Sequence, residues 1–374
     1  MKKPPTPFPT TGYFGAEYFC DREEELESMA RNVRGGISTT LVALRRMGKT
    51  ALIRHLQNEL KEEYLPVYVD ILPTESMLDL LNTLATGVAE MVPEQSRSGA
   101  KVWKFLKSLR PVISYDSLSG MPTLSFNQTQ EEGLQSINEL FSFLEEQAYP
   151  VIFAIDEFQQ ILNYPQKQVD AWLRSQIQVL NNVRFVFSGS QQHLVNELFA
   201  NPSRPFYKST QFIKLDKIER GVYHKFIASQ FRKHSKTIYD ETIESILNWT
   251  DRYTYYVQLL CNRIFLSSGK LVQHDIWKEE AMRLLKEQEF VFYSYREGLT
   301  KNQWHLLKAI AREGEVREPT SGKFASKHLL GTSASVLRAL QTLQKKELIF
   351  KEIDASGASY YGVYDVLFMR WISS

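Results

Sequence analysis

The spacing of apolar positions changes repeatedly along the first 217 residues and predicts alternating strands and helices. Short apolar or β-branched runs predict buried strands at 39–44, 65–71, 149–155, 183–187 and 211–215. Apolar residues three and four positions apart predict helices at 21–33, 51–63, 76–91, 134–146 and 168–180. Strands joined through helices form parallel sheets with right-handed crossovers. The pattern therefore predicts an α/β domain over residues 1–217.

Three other regions follow different patterns. Residues 92–133 predict an insertion, with a basic amphipathic helix at 101–109 and a hairpin across 117–122. Residues 218–294 have helical spacing only and predict a helical domain. In residues 295–374, helices at 300–312, 326–330 and 333–346 precede strands at 348–353 and 359–363, with a turn at 354–357. This last order predicts a winged helix-turn-helix domain.

Composition excludes several classes of protein. Apolar residues make up 43% of the chain and charged residues 24%, which is typical of globular domains. The formal net charge of +2 does not by itself indicate a polyanionic partner, so a nucleic-acid function would have to depend on local patches. Two distant cysteines predict no disulfide framework. Prolines follow the first two lysines where a signal peptide would be apolar, and no run is long enough for a membrane span. We therefore expect a cytoplasmic protein with no membrane association.

The loop after the first predicted strand carries a phosphate-binding pattern. Gly48, Lys49 and Thr50 stand at the start of a helix, where unpaired backbone N–H groups and the helix dipole attract an anion. Lys49 would contact the β- and γ-phosphates, and the Thr50 hydroxyl would bind Mg²⁺. Ala43 replaces the first glycine of the full pattern, so a chance turn is the alternative. The pattern predicts ATP-binding residues at Arg45, Arg46, Met47, Gly48, Lys49, Thr50 and Ala51. For the two arginines, a solvated loop pair is the alternative.

The third predicted strand ends in two acidic residues, Asp156 and Glu157. A parallel strand brings its carboxyl end to the same edge of the sheet as the phosphate loop. Asp156 is predicted to hold Mg²⁺ through a water, and Glu157 to orient or deprotonate the attacking water. The alternative is an acidic pair that caps the next segment. Both motifs in this order predict ATP hydrolysis with Glu157 as the catalytic residue.

The fourth predicted strand leads into Ser188, Gly189 and Ser190. A hydroxyl at that edge could sense the γ-phosphate, whereas the alternative is a serine that caps the following helix. In the glutamate-using branch of P-loop ATPases this strand lies between the first and the third. That arrangement predicts the sheet order 5-1-4-3-2 for the five strands.

Four sequence blocks resemble the prokaryotic AAA-like family of STAND-type ATPases found in archaea and Bacteroidetes. They are FCDREEEL at 19–26, LRRMGKT at 44–50, IDEFQ at 155–159, and SGS at 188–190 followed by RPFY at 204–207. The resemblance implies that Phe19 and Arg22 lie near the adenine and that residues 219–290 form a lid. It also implies ATP with Mg²⁺ as the ligand.

The C-terminal domain leaves two functional hypotheses open. Its third helix and wing carry few cations for DNA phosphates (Arg338, Lys345, Lys346 and Lys351), and Glu347 and Glu352 offset them. We therefore expect weak DNA binding at most, with a protein-contact or autoinhibitory module as the alternative. One hypothesis is a slow ATPase that acts as a conformational switch on an unknown protein partner or on itself. The other is a DNA-binding regulator that uses ATP as a structural ligand.

Overall fold

The computed structural model describes residues 3–91, 96–117, 120–354 and 357–374. The chain divides into two compact units, residues 12–217 and residues 3–11 together with 218–374. The strands of the first unit are β1 (Thr39–Val42), β2 (Leu65–Asp70), β3 (Val112–Tyr115), β4 (Pro122–Ser125), β5 (Val151–Asp156), β6 (Val183–Gly189) and β7 (Gln211–Lys214). Its helices are α1 (Glu23–Arg34), α2 (Lys49–Glu59), α3 (Met77–Ala89), α4 (Arg97–Ser108), α5 (Gln130–Glu145), α6 (Val169–Ile177) and α7 (Gln192–Phe199).

A parallel five-stranded sheet forms the centre of the first unit, in the order β2-β5-β6-β1-β7. This is the predicted order read from the other edge, so the α/β prediction with β6 between the two motif-bearing strands is confirmed. Every residue of β5 is buried, as expected for a central strand covered on both faces. The carboxyl ends of β1, β5 and β6 therefore meet at one edge.

The predicted insertion packs on the helices α3 and α5. The apolar side of α4 is buried in the core of this unit through Val102, Trp103 and Leu106. Phe105 stacks on Phe143 of α5, with ring centroids 4.1 Å apart. The hairpin β3–β4 is present, although residues 118–119 of its predicted turn, like residues 92–95 before α4, lie outside the described residues.

The second unit begins with helices α8 (Arg220–Lys233), α9 (Asp240–Trp249), α10 (Thr254–Ser267) and α11 (Ile276–Glu297). The winged-helix elements follow as α12 (Lys301–Glu313), α13 (Gly322–Lys327), α14 (Ser333–Lys345), β8 (Ile349–Ile353), β9 (Ser359–Val363) and α15 (Val366–Ser373). The predicted winged-helix fold is confirmed, although residues 355–356 of its predicted turn lie outside the described residues. Helix α13 begins earlier than predicted because the Ser321 side chain caps it by accepting from Phe324 N. The domain boundaries at 217 and 294 stay predictions, and α11 runs through residue 294. In the described chain no helix is long and apolar enough to cross a membrane.

Two aromatic clusters hold the second unit together. Phe292 of α11 packs against Phe368 and Trp371 of α15, with centroids 5.4 and 5.5 Å away. Phe8, which is fully buried, packs against Phe231 at 5.1 Å. The N-terminal segment thus belongs to the helical unit, and the contacts of α11 with α15 join the helices to the winged-helix elements.

Candidate functional site

The loop between β1 and α2 has the backbone shape of an anion site. Gly48 has φ 91°, and Arg46 before it has φ 70°, so the chain turns tightly ahead of the helix. Helix α2 begins at Lys49 and aims its unpaired N–H groups into this turn. Lys49 is 93% buried, with its Nζ 3.5 Å from the Ala43 carbonyl oxygen. Burial lowers the pKa of Lys49, and the nearby carboxylates of Glu157 and Asp156 partly oppose this shift.

Four donors converge on the buried carboxylate of Asp156 at the end of β5. Its Oδ2 accepts from Thr50 Oγ1 and from the Tyr68 hydroxyl, each at 2.9 Å. Its Oδ1 accepts from the Ser188 hydroxyl and, at 3.0 Å, from the backbone N of Glu157. The predicted metal residues Thr50 and Asp156 are therefore in direct contact, and Ser188 joins them.

Tyr68 is a site residue that the sequence analysis missed. It lies on β2, whose register with β5 places Asp70 opposite Asp156. Burial, together with Asp156, raises the pKa of the Tyr68 hydroxyl, so that it stays a proton donor. The guanidinium of Arg54 lies 4.0 Å from the centre of its ring. The chain contains 18 tyrosines, and nothing in the sequence distinguishes this one.

Glu157 is held by a second group of side chains. Its backbone is left-handed, with φ 56°. Its Oε2 accepts from Gln159 Nε2 at 2.6 Å, Ser190 Oγ at 2.8 Å and Ser190 N at 3.2 Å. These contacts join the carboxylate to Ser190 at the end of the neighbouring strand and to the Gln159 side chain, and Glu157 makes no side-chain capping hydrogen bond to the turn that follows it. The geometry therefore disfavours the capping alternative.

Gln159 and Gly189 fit against each other. Gln159 is 98% buried, and a Cβ at position 189 would lie 2.2 Å from its Oε1. The same Cβ would lie 2.6 Å from Val195 Cγ2. Only glycine at the end of β6 leaves room for the amide that holds Glu157. Gln159 stands within the IDEFQ block, but its role could not be inferred from its position there.

Four more predicted residues lie along the phosphate loop and the start of α2. Arg45 donates from Nε to Ser190 Oγ at 3.3 Å, which places it beside the Glu157 group. Arg46 is exposed and Met47 is buried. Ala51 is half-buried in the first turn of α2. The two adjacent arginines thus have different surroundings.

The two residues predicted near the adenine lie in separate places. Phe19 packs on His55 of α2, with ring centroids 4.6 Å apart, and the Tyr13 hydroxyl hydrogen bonds to His55 Nδ1 at 2.5 Å. Burial lowers the pKa of His55. Arg22 is buried and donates to Glu25 Oε1 and to the Asp216 carbonyl oxygen. Phe19 thus neighbours the phosphate-loop helix, while the guanidinium of Arg22 is engaged by α1 and the segment after β7.

Comparisons with known proteins identify the family of each part of the chain. Residues 19–260 match a family described as an ATPase domain predominantly from Archaea, and residues 290–374 match one described as a probable winged helix domain. The search of curated proteins found no match.

Several solved structures share the fold. The Walker-type ATPase paby2304 of Pyrococcus abyssi is 17% identical, with a TM-score of 0.68 over 99% of this chain and 100% of its own. The Aeropyrum pernix ORC2 protein, solved as ADPNP–ADP complexes, is 12% identical, with a TM-score of 0.58 over 94% of this chain and 92% of its own. The Aeropyrum pernix ORC1 protein in complex with DNA is 14% identical, with a TM-score of 0.50 over 95% and 92%. At these identities the likeness extends to the fold alone.

Proposed function

This chain belongs to the family of ATPase domains found predominantly in Archaea, and on that premise we propose that it is a slow, Mg²⁺-dependent ATP hydrolase that acts as a nucleotide-driven conformational switch. The observation that carries the proposal is the meeting of two hydrogen-bonded groups at one sheet edge. Thr50, Asp156 and Ser188 form the first group, and Glu157, Ser190 and Gln159 the second. Hydrolysis of a phosphoanhydride uses a metal ion to neutralise phosphate charge and a carboxylate to orient the attacking water, and the two groups would supply these parts side by side.

The first group fits a magnesium ion. Mg²⁺ prefers oxygen ligands and keeps several waters, so one hydroxyl and one carboxylate suffice from the protein. Thr50 Oγ1 and Asp156 Oδ2 supply these oxygens already 2.9 Å apart. When bound with ATP, the ion would neutralise charge that develops on the phosphates. Ser188 and Tyr68 would keep the carboxylate oriented, because both donate to it.

The second group fits a water-activating carboxylate. All three donors to Glu157 reach Oε2, which fixes the plane of the carboxylate and leaves Oε1 to accept from a water. Lys49, Gly48 and the first N–H groups of α2 would hold the phosphates, and Arg45 lies beside Ser190 to contact the γ-phosphate. Ser190 would then sense that phosphate through its shared contacts with Arg45 and Glu157.

The switch part of the proposal rests on analogy with the fold neighbours. The Aeropyrum pernix ORC2 protein was solved with ADPNP and with ADP, so that fold holds nucleotide in two states. In this chain we propose that helices α8–α11 act as a lid that responds to the state of the nucleotide. The proposed place of action is the cytoplasm, where ATP is abundant.

Hydrogen exchange of the full chain with ATP·Mg²⁺ and with ADP tests the switch. A Glu157→Gln variant should hold the ATP state long enough to be measured. We expect amide protection in α8–α11 to differ between the two nucleotides. Identical protection, with ATP binding demonstrated in the same samples, would refute the switch and leave a simple hydrolase.

The winged helix is proposed as a protein-contact module with weak DNA binding at most. Two of its cations are held by acids of the same module, Arg317 by Asp354 at 2.6 Å and Lys327 by Glu313 at 2.5 Å. Leu329 is 87% exposed between α13 and α14, and Leu337 on α14 is 48% exposed. Paired cations and exposed leucines suit a protein partner, or a second copy of the chain, better than a phosphate backbone.

A further inference from the structure

Helix α4 and the residues directly after it contain several cations and no acidic residue of their own. Residues 97–110 contain five lysines and arginines and no aspartate or glutamate, in a chain whose net charge is only +2. The next acidic residue is Asp116. This run lies in the insertion, which the proposed ATPase chemistry does not use.

Packing fixes which side of α4 faces solvent. Its apolar side is anchored by Trp103 and Leu106 in the core of the ATPase unit and by the stacking of Phe105 on Phe143. Lys101 and Lys104 are exposed on the other side, and Arg110 is exposed just beyond the helix. Because lysines three residues apart on a helix advance by about 4.5 Å along its axis, they form a row of charge.

These cations differ from two of those in the winged helix, which also has exposed cations outside any ion pair of the described residues at Arg338, Lys345 and Lys346. Among the described residues, Lys101, Lys104 and Arg110 form no ion pair with a carboxylate. In the winged helix, by contrast, Arg317 and Lys327 are neutralised by partners of their own module. The insertion therefore presents charge that is free to pair with an external anion.

We propose that the solvent-facing side of α4, continued by Arg110, binds the phosphate backbone of duplex DNA without reading its sequence. Duplex DNA carries about one negative charge per 1.7 Å of axis, so a row of cations gains most from releasing its counterions. Lysine is suited to this contact because it acts as a point charge without base-reading geometry. Insertion into a membrane is disfavoured, because the apolar side of α4 is already buried in protein.

Two matched variants of the full chain test the surface. The first is Lys101→Gln, Lys104→Gln, Arg110→Gln. The second is Arg338→Gln, Lys345→Gln, Lys346→Gln, which removes the same charge from exposed positions in the winged helix. Binding is measured by fluorescence anisotropy of a labelled 30-base-pair duplex at several salt concentrations. Thermal unfolding and ATP binding establish that both variants are folded.

For the first variant we expect at least about a tenfold loss of affinity at low salt. The slope of log K against log salt should become shallower by about 3, or about 1 per lost phosphate contact. The second variant should bind within about twofold of the wild type. Equal losses in both variants would overturn the proposal in favour of net charge alone, and a loss confined to the second would assign DNA to the winged helix. No wild-type binding at 50 mM salt, or preference for single strands or phosphatidylserine vesicles over duplex, would also overturn it.

Discussion

The side-chain amide of Gln159 donates a 2.6 Å hydrogen bond to the carboxylate of Glu157. Gln159 stands only two residues further along the chain, and the left-handed backbone at Glu157 lets the two side chains meet. The carbonyl oxygen of the same amide packs against Gly189, so the end of β6 limits where the Gln159 amide can lie. Gln159 is thus a positioning residue for the proposed catalytic carboxylate.

We expect Gln159→Ala to lower kcat by about tenfold to a hundredfold with little change in KM. A hydrogen bond to a charged group contributes about 1.5–3 kcal/mol, and this one orients the carboxylate and does not touch ATP. Steady-state ATP hydrolysis measures kcat and KM separately. Gln160→Ala is the matched control, because the Gln160 amide donates to the Thr74 carbonyl oxygen instead. Wild-type kcat in Gln159→Ala would contradict the positioning role.

Gly189→Ala tests the same contact from the other side. The new Cβ would collide with Gln159 Oε1, so the amide must move away from its present position. We expect a fall in kcat similar to that of Gln159→Ala, and a double variant less impaired than the product of the two single effects. Independent, multiplying effects would show that Gly189 acts elsewhere, for instance through Val195.

Glu157→Gln should keep ATP affinity and lose turnover by about 10²–10⁴-fold. The substitution preserves shape and removes the proton acceptor, and general base catalysis contributes a factor of that order. Equilibrium binding and single-turnover hydrolysis are the two measurements. Asp156→Asn provides the contrast, since it should weaken the dependence of binding on Mg²⁺. Hydrolysis by Glu157→Gln at the wild-type rate would assign the base to another group.

Lys49 should make ATP binding and the stability of the free protein respond to pH in opposite directions. Burial lowers its pKa in the folded chain, so as pH rises Lys49 loses its proton before an ordinary lysine does. ATP affinity should fall as pH rises through that lowered pKa. The free energy of unfolding of the nucleotide-free protein should rise between the lowered pKa and the ordinary one, because there the unfolded chain binds more protons.

Isothermal titration calorimetry measures the pH dependence of ATP affinity, and denaturant unfolding measures that of the free energy of unfolding. Lys49→Ala should remove both, together with the stabilisation by ATP. That stabilisation amounts to about 2.7 kcal/mol at a hundredfold excess over Kd in the wild type. A pH dependence that survives in Lys49→Ala would have to come from another group.

Phe292→Ala should destabilise the second unit by about 3–5 kcal/mol, because it leaves a cavity between α11 and α15. Phe290→Ala is the matched control, since that ring on the same helix is 86% exposed. Hydrogen exchange of the α15 amides reports the loss locally. Equal exchange in the two variants would show that α15 is held by its other contacts.

The strand order of the ATPase unit could be predicted because it follows from short sequence motifs next to apolar runs. The acidic pair and the phosphate loop each lie at the end of a strongly apolar run, and β6 falls between those strands as the glutamate-using arrangement requires. Tyr68 could not be predicted, since its bond to Asp156 depends on the register of β2 with β5. The role of Gln159 could not be predicted either, because its hydrogen bond to Glu157 requires the positive φ of Glu157. Helix α11 continues through residue 294, and its Phe292 packs against α15, a contact that sequence spacing alone does not reveal.

The N-terminal segment has a consequence for the order in which the chain folds. Thr6 and Phe8 are bound by Asn262, and the hydrogen bond of Asn262 to the Phe8 carbonyl oxygen joins residues 254 positions apart. During synthesis Phe8 leaves the ribosome before its aromatic partners on α8 and α10, which follow only after the whole ATPase segment. Contacts of such separation form late, since loop-closure entropy must be overcome first. Thr6 and Phe8 are thus made well before their partners and are among the last residues to reach their native contacts, and the ATPase unit can mature before the helical unit is complete.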